Sequence, residues 1–241
     1  MNGVIKAMRR WLRNLGYDVV RYTPAEHALA RRKEILDLYE VDAVLDVGAN
    51  TGQYALQLRE IGYKGKILSF EPLGAAWRIL SAAAEKDNRW QVLHHALGDR
   101  NGQSVIHVSR NSFSSSFREM LPLHASAAPG SAYVGTEAVE VKTLDAIFDK
   151  LGLSGSNILM KLDTQGYEKN VIDGSCNSLP LIDTIELEMS PAPLYEGEIS
   201  FMEMYAAIIE MGYQPVSMQD EFRHPGDGRL LQLQAVFHRF G

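Results

Sequence analysis

The chain has 241 residues, 46% hydrophobic and 22% charged, with 24 basic and 30 acidic side chains and a net charge of −6. That length suits one α/β domain with a small appendage, and the acidic balance makes duplex nucleic acid a poor partner. One cysteine, Cys176, excludes an internal disulfide framework and a four-cysteine zinc site, and no apolar run nears the roughly 20 residues that span a bilayer.

The basic N-terminus leads into no apolar stretch of signal-peptide length, so a cytoplasmic protein is expected. Residues 4–15 read as a helix: Ile5, Met8, Leu12 and Leu15 recur at spacings of three and four, with Trp11 beside them. Lys6, Arg9, Arg10 and Arg13 fall mostly on the other side. This basic helix suggests a weak membrane-surface contact or a homodimer face, with packing on the domain as the plainer expectation. Asp18–Tyr22 reads as extended, and a second helix is expected from about Ala25 to Tyr39, capped by Thr23 with Pro24 at its first position. Residues 1–40 are thus expected as a helical extension and 41–241 as the main domain.

From Val41 the rhythm changes. Val44–Val47, Lys66–Glu71 and Trp90–Leu93 read as strands, with helices over 53–61 and 74–85 between them. This alternation predicts an open, mostly parallel α/β sheet. Residues 98–143 interrupt it with an inserted hairpin or long loop. The pattern then resumes with helix 144–151, strand 158–163, helix 168–173, strand 184–188 and helix 201–211. Strands at 214–218 and 231–238 are expected as a closing antiparallel pair.

The chemistry concentrates at the strand ends, where open α/β sheets bind ligands. Asp46-Val47-Gly48-Ala49-Asn50-Thr51-Gly52 follows a strand and opens a helix, and its glycines allow backbone N–H groups to approach a ligand. Glu71 ends the next strand, 19 residues after Gly52, where a carboxylate can accept hydrogen bonds from both hydroxyls of a ribose. Ala96-Leu97-Gly98 offers a small apolar slot for an adenine ring. Asp99 is read as a turn residue. His94 and His95 lie near the third strand end, and a structural role is favoured for the one that points inward.

The fourth strand brings Lys161 and Asp163 to the same edge, on one face, as an ion pair or as catalytic groups. Glu188 is the carboxylate of the fifth strand nearest that edge and is assigned to the substrate side. Together with Asp163 it could bind a divalent cation through oxygens, but no aspartate pair follows the strand to support this, and no metal is expected. The loop Asn111–Phe117 should hang over the crevice, where Ser114, Ser116 and Phe117 are expected to contact the acceptor.

In these pieces the chain resembles the FkbM family of S-adenosylmethionine-dependent methyltransferases. Val44–Gly52 (VLDVGANTG), Phe70-Glu71-Pro72, Ala96-Leu97-Gly98, Val141–Asp145 (VKTLD) and Lys161–Glu168 (KLDTQGYE) occur in the family's order across residues 44–168. The resemblance implies a class I methyltransferase (Rossmann-like) fold that binds S-adenosylmethionine and releases S-adenosylhomocysteine. Carried over, Gly48, Asn50 and Gly52 would line the methionine end, Asp46 would support that loop, and Glu71 would hold the ribose. Ala96 and Leu97 would flank the adenine, and Asp163 would sit near the amino group or the transferring methyl. Gln165 stands where the family usually carries an acidic residue, which sets aside a base at 165 but not the fold.

The resemblance also implies O-methylation of a hydroxyl on a saccharide, glycolipid or polyketide. A hydroxyl is a weak nucleophile, so a positioned base should assist, and Asp163 is the first candidate. Two rivals are an adenosyl-binding module without catalysis and a small NAD-dependent dehydrogenase. The G-x-N-x-G spacing lacks the third glycine of a dinucleotide fingerprint.

Overall fold

The structure is a computed structural model that describes residues 3–240; the ends of the two expected units, Met1, Asn2 and Gly241, lie outside them. In chain order the elements are α1 (Gly3–Asn14), α2 (Ala28–Leu38), β1 (Ala43–Val47), α3 (Gln53–Glu60), β2 (Lys66–Phe70), α4 (Gly74–Ala84), β3 (Trp90–Leu93), β4 (Ala96–Leu97) and β5 (Gly102–Ser109). They continue with α5 (Pro122–Ala127), β6 (Tyr133–Lys142), α6 (Leu144–Ile147), β7 (Ile158–Leu162), α7 (Glu168–Asp173), β8 (Thr184–Met189), α8 (Phe201–Glu210), β9 (Gln214–Arg223) and β10 (Leu230–His238).

Seven strands form one sheet in the order β3-β2-β1-β7-β8-β10-β9. All neighbours are parallel except β10, which runs antiparallel to both β8 and β9. This is the expected open sheet with a closing reversed pair, the class I methyltransferase order. Its centre is fully buried. β1 and β7 read as nearly unbroken apolar runs because helices cover both faces. One face packs Leu45, Phe70, Leu187 and Phe237 against Val171, Ile172, Met204 and Ile208. On the other, Val44, Ile67 and Leu159 meet Leu58, Leu80, Ile35 and Leu36. Ser200 and Glu203 form a reciprocal cap at the start of α8.

The chain winds outward from β1 to β3 on one side and from β7 to β8 on the other. The order therefore reverses between β1 and β7, and a crevice opens at their C-terminal ends. The insertion is a hairpin. β5 and β6 pair antiparallel, β4 joins β6 in parallel, and this small second sheet places Ile106 and Val139 over Leu73 and Ala76. It thereby roofs the crevice.

Two local expectations change. Helix α2 starts at Ala28, not Ala25: Pro24–Glu26 make a turn held by Thr23, and the His27 side chain accepts the Leu29 N–H as the cap. Residues 144–151 split into α6 and a tighter 3₁₀ turn. Helix α2 is built into the core through Ala30, Ile35 and Leu36, whereas α1 leaves most of its apolar side open.

Candidate active site

The loop after β1 is shaped by its glycines. The N–H groups of Gly48 and Ala49 both donate to the Phe70 carbonyl, at 3.1 and 3.0 Å, which turns the chain sharply off the sheet. Gly48 has φ +77°, and a Cβ there would overlap the backbone carbonyl of Asp163. Only glycine lets the loop lie this close to the end of β7. Gly52, at φ +94°, opens α3 at a place where an added Cβ would meet Leu80 at 2.9 Å and Trp90 at 3.0 Å.

Beyond this loop a cavity of about 260 Å³ occupies the crevice. One end is largely apolar, walled by Leu73, Ala96, Leu97, Ile106 and Phe117, with Glu71 at its edge. The Glu71 carboxylate accepts the N–H of Asn50 and of Leu73, both at 2.8 Å. Burial pushes its pKa up to about 7, although these two donors pull the other way. Two backbone amides thus hold a buried acceptor at the cavity wall, and each oxygen keeps a lone pair for a ligand.

The other end is polar. Lys161 lies 3.2 Å from Asp163 Oδ2, 3.4 Å from Asp46 Oδ1 and 3.4 Å from the Gly48 carbonyl. Burial opposes its charge, but Asp163, Asp46 and Glu188 together outweigh that and hold its pKa above the ordinary lysine value. It is a fixed cation, tied to the glycine loop and to Asp163. Gln165, at φ +54°, donates from one amide nitrogen to Asp163 Oδ1 at 2.8 Å and to Glu188 Oε2 at 3.1 Å. Its side-chain oxygen Oε1 accepts the Tyr195 hydroxyl at 2.7 Å. The Gln232 amide also donates to Glu188 Oε2, and no hydrogen bond among the described residues reaches Oε1. Burial, then repulsion by Asp163 and Glu168, raises the Glu188 pKa well above the usual carboxylate range.

Most sequence-predicted residues meet here. Gly48, Asn50, Glu71, Ala96, Leu97, Lys161, Asp163, Glu188 and Phe117 line one cavity. Asp46 and Gly52 stand behind it. Asp46 is fully buried, accepts the Ser69 hydroxyl and faces Lys161; Gly52 opens α3 and does not line the cavity. Ser114 and Ser116 do not line the cavity either. Ser114 Oγ accepts from Asn111, and Ser116 donates to the Gln165 carbonyl at 2.7 Å. Their neighbours Ser112, Phe113 and Ser115 line it in their place. Asp99 bonds Tyr167 and Asn170, away from the cavity. His94 stacks on Trp77, while His95 is buried edge-on to Phe70, and its burial lowers its pKa to about 4. Among the described residues, no three His, Cys, Asp or Glu side chains are arranged to hold a metal ion.

Several lining residues come from outside any motif. Arg32 of α2 enters the wall with its guanidinium 4.5 Å over the Tyr54 ring and 3.0 Å from Glu186 Oε1, and Tyr54 donates to Glu186 Oε2 at 2.6 Å. Gln57, Glu221 and Gln234 complete this rim from α3, β9 and β10. Arg32 left a trace in the sequence: it sits three residues after Leu29 and three before Ile35, a cation on the apolar stripe of its helix.

Sheet order and the cavity at the switch point define an α/β protein of class I methyltransferase architecture. A model of the methyltransferase FkbM domain matches residues 46–215, and the chain belongs to that family. It is 28% identical over 207 residues to the 2-O-methyltransferase NoeI of Sinorhizobium fredii (strain NBRC 101917 / NGR234), covering 82% of this chain and 83% of that protein. Among solved structures it is similar to an uncharacterized protein from Listeria monocytogenes serotype 4b, with TM-score 0.48, 8% identity, and 87% and 67% of the two chains covered. The methyltransferase domain of bacterial CtHen1-C gives TM-score 0.47, 10% identity, and 88% and 97% covered.

Proposed function

We propose that this methyltransferase transfers a methyl group from S-adenosylmethionine to a hydroxyl of a saccharide-containing acceptor. The observation that carries this reading is the composition of the crevice cavity. Its apolar end with Glu71 suits an adenosine, and its other end is walled by Asp163, Gln165, Glu188, Arg32, Gln57 and Gln234. Amides, carboxylates and a guanidinium are the groups that recognise polyhydroxylated molecules by hydrogen bonds. That the relative NoeI is named a 2-O-methyltransferase supports oxygen as the nucleophile.

The residues present fit the cofactor. Glu71 would hold the ribose hydroxyls, Leu97 and Phe117 would flank the adenine, and the glycine loop with Asp163 would receive the amino-acid end. When bound, S-adenosylmethionine supplies an electrophilic methyl group on a sulfonium. The chain's own task is to align a hydroxyl oxygen, exclude water and take up a proton. We place the base at Glu188 in preference to Asp163. Both oxygens of Asp163 are engaged, one by Lys161 and one by Gln165. Among the described residues no donor reaches Glu188 Oε1, which leaves that oxygen free to accept the proton of the hydroxyl. Gln165, standing between them, bridges the two carboxylates by donating to both. A third carboxylate at that position would repel both.

The test is transfer of radiolabelled methyl from S-adenosylmethionine to a panel of saccharides, lipid-linked saccharides and aglycone polyketides. Label in an alkali-stable ether of a saccharide supports the proposal. Label only in amines or only in aglycones overturns the acceptor assignment.

A further inference from the structure

The catalytic reading leaves α1 unused. Its four basic side chains, Lys6, Arg9, Arg10 and Arg13, share one half of the helix, which contains no acidic residue. Val4, Ile5, Met8, Trp11, Leu12 and Leu15 occupy the other half. That apolar half is open: Val4 is 79% exposed and Trp11 62%. Arg9 and Arg13 both close on the Asp18 carboxylate at 2.8–3.0 Å. This clamp folds the following segment back along the helix, and Tyr17, Val19 and Val20 are exposed there as well.

The charge distribution narrows the occupant. Residues 3–22 hold five basic side chains and one acidic, so this segment is strongly cationic on a chain whose net charge is −6. A short helix with a wide basic face, and with tryptophan among aliphatic residues opposite, matches the pattern that lies in a lipid–water interface. Pairing two copies through α1 would bring eight cations onto one bundle, which disfavours a second chain as the occupant. Anionic headgroups neutralise the same charges, each basic residue near such a surface adding to the attraction.

We propose that α1 and the clamped segment through Tyr22 are a docking surface for an anionic lipid bilayer, with the apolar half seated among the acyl chains and the basic half among the headgroups. The inference does not rest on the methyl-transfer reading.

Vesicle flotation of the full chain tests it. The vesicles are phosphatidylcholine alone and phosphatidylcholine with phosphatidylglycerol at roughly three to one. Expected are binding to the anionic vesicles alone and a loss of at least about fivefold when salt rises from roughly 0.1 to 0.5 M. The double variant Lys6→Glu/Arg10→Glu, which spares the Asp18 clamp, should partition about tenfold more weakly or worse. Trp11→Ser should also weaken binding, with the domain's melting temperature unchanged in each variant. Failure to float with anionic vesicles, or equal flotation of wild type and variants, overturns the proposal. So does a concentration-dependent dimer in light scattering that Trp11→Ser abolishes.

Discussion

Gly48→Ala tests the site's construction most sharply, with Gly62→Ala as its control. Both glycines have positive φ, +77° and +90°. An alanine pays for the left-handed backbone at either place, about 1–2 kcal/mol, partly offset by lower entropy of the unfolded chain. Around Gly62 nothing lies within 4 Å of an added Cβ, so its variant should lose only about 1 kcal/mol. At Gly48 the same atom overlaps the Asp163 carbonyl oxygen and stands 2.9 Å from the carbonyl carbon, where no rotamer change helps. Pushing the loop away from β7 adds about 1–3 kcal/mol of overpacking. It also shifts the Gly48 carbonyl from Lys161 and Asn50 from Glu71. Urea unfolding should place the Gly48 variant about 2 kcal/mol below the Gly62 variant, and calorimetry should show S-adenosylhomocysteine binding lost only in the former. Equal stabilities within about 0.5 kcal/mol, or equal binding, would refute the close packing of loop on strand.

Three further outcomes are expected. Arg32→Ala strands the buried Glu186 carboxylate and should cost about 3 kcal/mol in urea unfolding, with part of the loss recovered by adding Glu186→Gln; no recovery would mean the pair is not coupled. Glu188→Gln should lower kcat by ~10²-fold or more with little change in KM and remove the acidic limb of the pH–rate profile, whereas Asp163→Asn should chiefly weaken cofactor binding; the reverse split moves the base to Asp163. Glu71 titrates near pH 7 in the fold against its ordinary 4.5, so the folded state binds its proton more tightly and stability falls as pH rises from about 4.5 to 7. The difference corresponds to about 3 kcal/mol at most, so the stability of Glu71→Gln relative to wild type should improve from pH 5.5 to pH 8, and a flat or opposite trend in pH-dependent unfolding contradicts it.

What the sequence showed follows from locality. The strand, glycine turn and helix over 44–60 are read from consecutive residues, and the distance from Gly52 to Glu71 is one crossover. These local signals put the apolar end of the cavity, with Glu71, in plain view. The polar end was hidden because its groups meet across the sheet: Arg32 reaches Glu186, and Gln232 of β10 reaches Glu188 of β8, through pairing that no spacing encodes. The loop serines show a finer limit. Composition marked 111–117 as a cavity loop, but only the backbone decides that Ser115 and Phe117 face inward while Ser116 holds the Gln165 carbonyl. Gln165 itself stood out as an exception to the family pattern, and its role between two carboxylates became visible only with both in place.

The central claim is that the cavity holds an adenosyl cofactor through Glu71. Calorimetric titration with S-adenosylmethionine, S-adenosylhomocysteine and NAD⁺ tests it directly, on wild type and on Glu71→Ala. The account predicts that both adenosyl compounds bind wild type, that NAD⁺ does not, and that Glu71→Ala loses at least about tenfold in affinity. Binding of NAD⁺ alone, or adenosyl binding unchanged by Glu71→Ala, would contradict it.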